Sequence, residues 1–299
     1  MLETKYIWMD GKLIHWKDAK VHVLTHSLHY GSGVFEGIRY YSTDNGSAVF
    51  RLSDHISRLF NSANTINMQI PFSEEEIVAA VIETVRINEI KSGYIRPIAF
   101  FGYGKMGLKT EGAPVNVSIA VWPWETYLGD NPVKIKTSSF IRIHQKSSST
   151  ESKITGNYIN SILASVEATS SGYDEALLLD FAGKIAEGPG ENIFIVRNGA
   201  LYTPQLGNIL PGITRNTIIT LARDTDYEVH EIPLALEDIY DADEAFFTGT
   251  AAEITSIAKV DNVALKNSNG TITKKIREMY LGVVQGKNSD YENWLSYVD

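Results

Sequence analysis

The chain has 299 residues, 43% of them hydrophobic and 21% charged, with a net charge of −9 and no cysteine. That length and apolar share suit one large or two ordinary domains around a substantial core, and the acidic balance argues against nucleic-acid backbones or anionic membranes as partners. The missing cysteine removes disulfides, thiolate metal sites and a cysteine nucleophile together. The opening MLETKYIWMDGKLIHW carries Glu3 and Asp10 where a secretion signal would be apolar. No run approaches eighteen apolar residues, and the expected location is the cytoplasm.

In chain order, YIWMDGKLIHW reads as two short strands joined by Asp10-Gly11, and VFEGIRYYSTDNGSAVFRL as a second hairpin turned at Asn45-Gly46. Between them, Val21 and Val23, around the start of HVLTHSLHY, alternate as in a strand. The run DHISRLFNSANTI has helical spacing at Ile56, Leu59, Phe60 and Ala63, with Ser53 as its expected cap. PFSEEEIVAAVIETVRINEI is a clearer helix, capped by Ser73 with acids in its first turn. YIRPIAFFGYG and VNVSIAVWPW follow as strands.

ETYLGDNPVKI breaks the composition, and the domains are expected at 1–124 and 135–299 with 125–134 as the interdomain loop. Beyond it come the serine-rich loop HQKSSSTESK, a helix ending near Gly172, the strand DEALLLD and a hairpin turned by Asn198-Gly199. LPGITRNTIITLARDT reads as a helix, YEVHEIPL and DEAFFTG as strands, and TKKIREMYLGVVQG as a last helix. Strands and helices mix without regular βαβ alternation, which indicates an α+β fold.

Three loops of the second half, EGPGEN (187–192), LPGIT (210–214) and TGTAAE (248–253), combine glycine, hydroxyl and small residues at breaks between elements. Free amides at a helix start or turn make an anion site, to which Thr214 and Thr250 add hydroxyls. Neither a dinucleotide fingerprint nor a P-loop is present. A phosphate-bearing aldehyde cofactor would give Lys153 of ESKITGNY a partner, because a deprotonated lysine condenses with a carbonyl. Such a ring acts as an electron sink only if a carboxylate keeps its nitrogen protonated, and Glu187 or Glu191 can supply one.

KITGNY, EGPGEN, LPGITR and TGTAAEI, preceded by HYGSGVFEGIR and YIRP, occur in order over nearly the whole chain. Together they resemble the branched-chain amino acid aminotransferases, pyridoxal-phosphate enzymes of fold type IV. The resemblance implies a small N-terminal α/β domain and a larger C-terminal domain with a β-barrel-like core. Lys153 then resembles the lysine that holds the cofactor and carries a proton. Glu187 resembles the partner of the ring nitrogen, Tyr158 that of the phenolic oxygen, and Arg58, Ile213, Thr214 and Thr250 the phosphate contacts. Tyr94, Arg96 and the amides of Thr250 and Ala251 look like the substrate-carboxylate groups. Phe35, Tyr30 and Trp124 look like pocket walls, with Arg39 a second cation at the rim. In this family Tyr30 and the loop Met106, Gly107, Leu108 reach across from a neighbouring subunit, so a homodimer is implied, with higher assembly left open.

The expected reaction moves the amino group of leucine, isoleucine or valine to 2-oxoglutarate by a ping-pong course, so the partners are small amino and 2-oxo acids. Alternatives within the fold are a D-amino acid aminotransferase, an (R)-amine transaminase and an aminodeoxychorismate lyase. Outside that class stand a binding module for a phosphorylated small molecule and a cofactor-free Schiff-base aldolase. His22, His26 and His29 lie at helical spacings but in a strand-like context without an acid, so no metal is expected. Two departures touch substrate range and pH optimum: Glu151, two residues before the lysine, and Glu125, where a glycine is common.

Overall fold

The computed structural model describes residues 3–124, 128–129 and 131–298, so Glu125 lies outside the described residues. The chain divides into two units. The first takes Met1–Glu125 together with Ser152–Gly156 and Gly282–Asp299, and the second takes Thr126–Glu151 and Asn157–Leu281. Lys153 therefore belongs with the N-terminal elements, although its chain neighbours on both sides do not.

The first unit is an antiparallel sheet with three helices. Its strands are β1 (Tyr6–Met9), β2 (Lys12–His15), β3 (Gly33–Phe35), β4 (Ile38–Thr43), β5 (Gly46–Phe50), β6 (Gly93–Phe101) and β7 (Val115–Trp122). The C-terminal strand Leu295–Tyr297 completes it on the β5 edge, giving the order C-terminal strand, β5, β4, β6, β7, β1, β2, with β3 added onto β6. Met9 faces Lys12 across the first hairpin, and Asp10 and Gly11 both take positive φ, the backbone a two-residue turn requires. The helices are α1 (His26–Tyr30), α2 (Leu52–Thr65) and α3 (Glu74–Asn88). Leu52, Ile56, Leu59 and Ala63 of α2 recur every three or four residues and are all buried, packing with Ile38, Val49, Ile95, Val117 and Ile154.

Two local expectations are corrected. The HVLTHSLHY stretch forms no strand: residues 22–25 make a turn and only His26–Tyr30 is α1, where the His26 amide donates to Gly102 O and Gly31 closes the helix at φ 63°. Helix α2 starts one residue before Ser53, which is exposed, because burying Leu52 brings the first turn down; its cap is Arg51, at φ 52°. The expected cap of α3 is present in full, since Ser73 Oγ accepts from the Glu76 amide and the Glu76 carboxylate from the Ser73 amide.

Residues 152–156 join this sheet through one antiparallel bridge, Val34 to Ile154. Gly31 and Gly156 meet backbone to backbone there: a Cβ on Gly31 would lie 2.7 Å from the Gly156 Cα, and the Gly156 amide donates to Gly31 O at 3.0 Å. Thr155 Oγ1 donates to Gly31 O at 2.6 Å and accepts from the Gly33 amide.

The second unit is a nine-stranded mixed sheet. Its strands are β8 (Val133–Thr137), β9 (Glu175–Leu179), β10 (Ile185–Glu187), β11 (Asn192–Arg197), β12 (Ala200–Thr203), β13 (Val229–Glu231), β14 (Glu244–Gly249), β15 (Glu253–Val260) and β16 (Val263–Ala264). They run in the order β10, β9, β8, β15, β14, β11, β12, β13, with β16 beside β15; β8 is parallel to β9 and β15, and β12 to β13. Its helices are α4 (Tyr158–Ser170), α5 (Ile213–Asp224), α6 (Leu236–Tyr240) and α7 (Thr271–Val284), the last three residues of α7 belonging with the first unit. Ile135, Leu177, Ile193, Ile195, Phe247 and Ile257 form the core. Among the described residues no helix is long and apolar enough to cross a membrane.

Packing rather than capping should dominate the stability of the first unit. Leu59→Ala, at a site with 0% exposure, should cost about 2–5 kcal/mol, and Ser73→Ala about 1 kcal/mol. Urea unfolding of the two variants checks the order, and a Ser73→Ala cost equal to that of Leu59→Ala would refute it.

Candidate active site

Lys153 is fixed in the first unit by its own main chain. Its amide donates to Ser62 Oγ on α2 at 3.0 Å, and its carbonyl accepts from the Phe35 amide at 3.1 Å. The neighbouring Ser152 Oγ pairs with Thr65 Oγ1 at 2.8 Å, also on α2. From this clamped peptide the side chain carries Nζ to 4.9 Å from the Phe35 ring centre. Glu151 is exposed to solvent.

Beside the lysine runs a buried charged network. Glu36, with 0% exposure, accepts from Arg58 Nε at 2.6 Å and Nη2 at 2.9 Å, and from His55 Nδ1 at 2.7 Å. Burial alone would raise its carboxyl, but the Arg58 guanidinium and the His55 imidazole outweigh burial and hold it well below the usual carboxylate range. The His55 imidazole is pushed below its ordinary value, by burial first, against the opposing pull of Glu36 and with the Arg58 and Lys153 charges adding to the push. His55 is therefore neutral and donates through Nδ1.

A cationic aromatic box occupies β4, β6 and β7. Tyr94 and Arg96 share one face of β6, and Tyr94 pairs directly with Arg39 on β4 and with Trp122 on β7. The Arg96 guanidinium lies 4.9 Å from the Phe35 ring centre and 5.3 Å from that of Tyr94. Trp122 and Trp124 stand 5.3 and 5.2 Å from the Tyr94 ring. The glycine of FEGIR makes room for this: a Cβ on Gly37 would fall 1.9 Å from the Tyr94 hydroxyl. Arg96 Nε and the Trp122 and Trp124 indole nitrogens are buried donors without a hydrogen-bond partner. Orphaned donors around apolar walls suit a ligand that is part carboxylate and part hydrocarbon.

Tyr30, Met106 and Leu108, which the resemblance gives to a neighbouring subunit's site, are exposed, Leu108 by 86%. His26, buried between them, bonds Gly107 O through Nε2 at 2.7 Å and Ser32 Oγ through Nδ1 at 2.6 Å, and its ring centre lies 4.6 Å from that of Tyr30. His22 Nδ1 accepts from the Leu24 amide, and His29 Nε2 pairs with Val23 O, so the three histidines make separate contacts. Among the described residues no group of three metal-ligating side chains converges.

The second unit holds the other candidates. Glu187, buried at the end of β10, accepts from Arg142 Nε at 2.5 Å, Asn192 Nδ2 at 3.0 Å and the Leu210 amide at 3.1 Å. Its charge is thus compensated and its orientation fixed. Glu191 instead turns back on its own loop, accepting from the Gly190 amide. Gly212 begins α5, and a Cβ there would fall 1.9 Å from Asn192 Oδ1, so only glycine lets the helix start this close to the Glu187 cradle. Ile213 and Thr214 form its first turn, where amide donors have no partner within the helix. Thr250 and Ala251 occupy the turn after β14, and the hydroxyl of Thr248 just before it is buried without a partner. Tyr158 opens α4 and is half-buried. A fixed carboxylate, amide-rich helix start and orphaned hydroxyl fit a phosphorylated ring with a basic nitrogen. Sequence reasoning missed Glu36, His55, Ser62, Arg142 and Asn192; Glu36 and Asn192 sit inside FEGIR and EGPGEN without standing out there, and His55, Ser62 and Arg142 lie in no motif.

The Amino-transferase class IV family model matches residues 33–260. A branched-chain-amino-acid aminotransferase of Pseudomonas aeruginosa is 49% identical over 98% of this chain and 97% of that protein. The crystal structure of a branched-chain aminotransferase of Thermoproteus uzoniensis with norvaline superposes with a TM-score of 0.96 at 46% identity, over 99% of this chain and 100% of that one. The branched-chain amino acid aminotransferase of Thermobaculum terrenum, solved in its PLP-bound holo form, gives 0.94 at 38% identity, over 99% of both chains. A match this long, with every ordered motif inside it, makes the chain a member of the class IV aminotransferases, in their branched-chain-amino-acid aminotransferase branch.

Proposed function

We propose that the protein transfers the amino group of leucine, isoleucine or valine to 2-oxoglutarate with pyridoxal 5'-phosphate, as a homodimer in the cytoplasm. The observation that carries this reading is the Lys153 peptide, clamped between Phe35 and Ser62 with its amine over the Phe35 ring. When bound, the cofactor supplies an aldehyde and an electron-withdrawing ring. Lys153 Nζ would hold that aldehyde and, as the nearest amine on the clamped peptide, would carry the proton of the substrate Cα. Glu187, fixed by Arg142, Asn192 and Leu210, holds the proton on the ring nitrogen. Tyr158 donates to the phenolic oxygen. Arg58, the Ile213 and Thr214 amides and Thr250 hold the phosphate.

Tyr94, Arg96 and the Thr250 and Ala251 amides bind the substrate carboxylate, with Arg39 as the second cation. Phe35 and Trp124 wall the side-chain pocket, completed by Tyr30, Met106, Gly107 and Leu108 of a second copy. An aliphatic side chain suits the aromatic faces, and the distal carboxylate of the second substrate suits the second cation, Arg39. Exposed apolar surface supports the dimer: on α4, Ile159, Ile162, Leu163 and Val166 form an exposed stripe at helical spacing.

Purified protein with pyridoxal phosphate should be yellow, bleach with L-leucine and recover with 2-oxoglutarate; bleaching by D-alanine alone would overturn the substrate assignment. Lys153→Ala should lower turnover by about a hundred- to ten-thousand-fold, whereas a phosphorylated-ligand binding module would keep its affinity. Glu187→Gln should lower kcat by about a hundredfold or more with phosphate affinity retained. Light scattering should give twice the 33.2 kDa of one chain, and Ile162→Asp should move that mass toward the single chain.

A further inference from the structure

Helix α2 carries a second stripe beside its apolar one. His55, Arg58, Ser62 and Thr65 recur at intervals of three, four and three residues and so share a face. Each makes a hydrogen bond toward the lysine side of the unit. His55 and Arg58 donate to Glu36, Ser62 accepts from the Lys153 amide, and Thr65 pairs with Ser152. Glu36 itself follows Phe35, whose amide holds the Lys153 carbonyl.

A carboxylate with no exposure costs several kcal/mol unless it is paired and hydrogen-bonded, so one retained among apolar residues needs a reason. Glu36 takes two nitrogens of one guanidinium in a forked pair, an arrangement that fixes the plane of the group as well as its place. A free arginine side chain gives up its rotamer freedom when it binds a phosphate. Fixing it beforehand moves that cost into folding. The same acid weakens the attraction of Arg58 for an anion, so the arrangement trades field for orientation.

Resting on the function proposed above, we propose that Glu36 is a positioning residue: it locks Arg58 on the face of α2 that also holds the Lys153 peptide, and so sets the spacing between the phosphate-binding cation and the reactive amine. His55 steadies the second carboxylate oxygen and acts only through Glu36.

The test compares the affinity of Glu36→Gln for pyridoxal phosphate and for pyridoxal, which lacks the phosphate, by titration of the purified apoprotein. The expected result is a pyridoxal phosphate Kd raised about tenfold or more, the scale of one well-made interaction, with the pyridoxal Kd changed by less than about threefold. A loss of general structure would weaken both alike, and a cation merely freed from its acid would bind phosphate as well or better; either result overturns the proposal. Should Glu36→Gln give no cooperative melt, His55→Ala leaves the Glu36–Arg58 pair in place and is expected to weaken pyridoxal phosphate selectively, by a smaller factor. No selectivity in that variant overturns the proposal. Wild-type protein that takes up neither compound would overturn the functional reading and this proposal together. Wild-type uptake with an unchanged Glu36→Gln overturns this proposal alone.

Discussion

The two main-chain hydrogen bonds at Lys153 are the constraint on which the rest depends. A lysine side chain has four rotatable bonds, and its amine reaches a reproducible place only if its base is fixed. Here the base is held from both sides, by Phe35 on the sheet and by Ser62 on the helix packed against that sheet. The aromatic box extends from the same strands, because Phe35 ends β3, pairs opposite Ile98 of β6 and lies under Arg96. Lys153, Phe35, Tyr94 and Arg96 are thereby referred to the frame of the first unit.

Both units treat buried acid in the same way. Glu36 is met by Arg58 at 2.6 Å and Glu187 by Arg142 at 2.5 Å, and each accepts further donors on its remaining lone pairs. A buried carboxylate left alone would protonate or disrupt its surroundings; one held by a guanidinium keeps its charge in a set direction. In a chain of net charge −9, affinity for anionic small molecules must come from such local arrangement, since the overall field repels them.

Much of this was legible because the signals are local. Asp10-Gly11 and Asn198-Gly199 announce their hairpins through the positive φ that the turns demand, and Ser73 announces α3 through a cap completed three residues later. The ordered motifs around Lys153, Glu187, Thr214 and Thr250 pointed to the family. What stayed hidden depends on distance in the chain. Nothing near Glu36 reveals that its partners are 19 and 22 residues away, and Arg142 sits in a stretch with no recognisable pattern. The return of residues 152–156 to the first sheet rests on one bridge to Val34, which no periodicity records. The valines before α1 alternate as a strand would, yet both are exposed in an irregular turn with no strand partner among the described residues, and the helix begins only at His26.

The meeting of Gly31 and Gly156 carries a consequence for how such a chain can change over time. Their backbones touch, and the Gly31 carbonyl serves both the Gly156 amide and the Thr155 hydroxyl. Gly31, at φ 63°, cannot gain a side chain while the Gly156 backbone stays where it is, whereas a Cβ on Gly156 would only press on Gly31 O at 3.1 Å, so the constraint falls mainly on Gly31. One lies in the loop that ends α1 and the other three residues after Lys153. A substitution that loosens the first is thus felt at Lys153 without touching it. The constraint in sequence space is one-sided: a change at Gly31 must wait for the distant Gly156 backbone to move, which ties the end of α1 to a segment more than a hundred residues on.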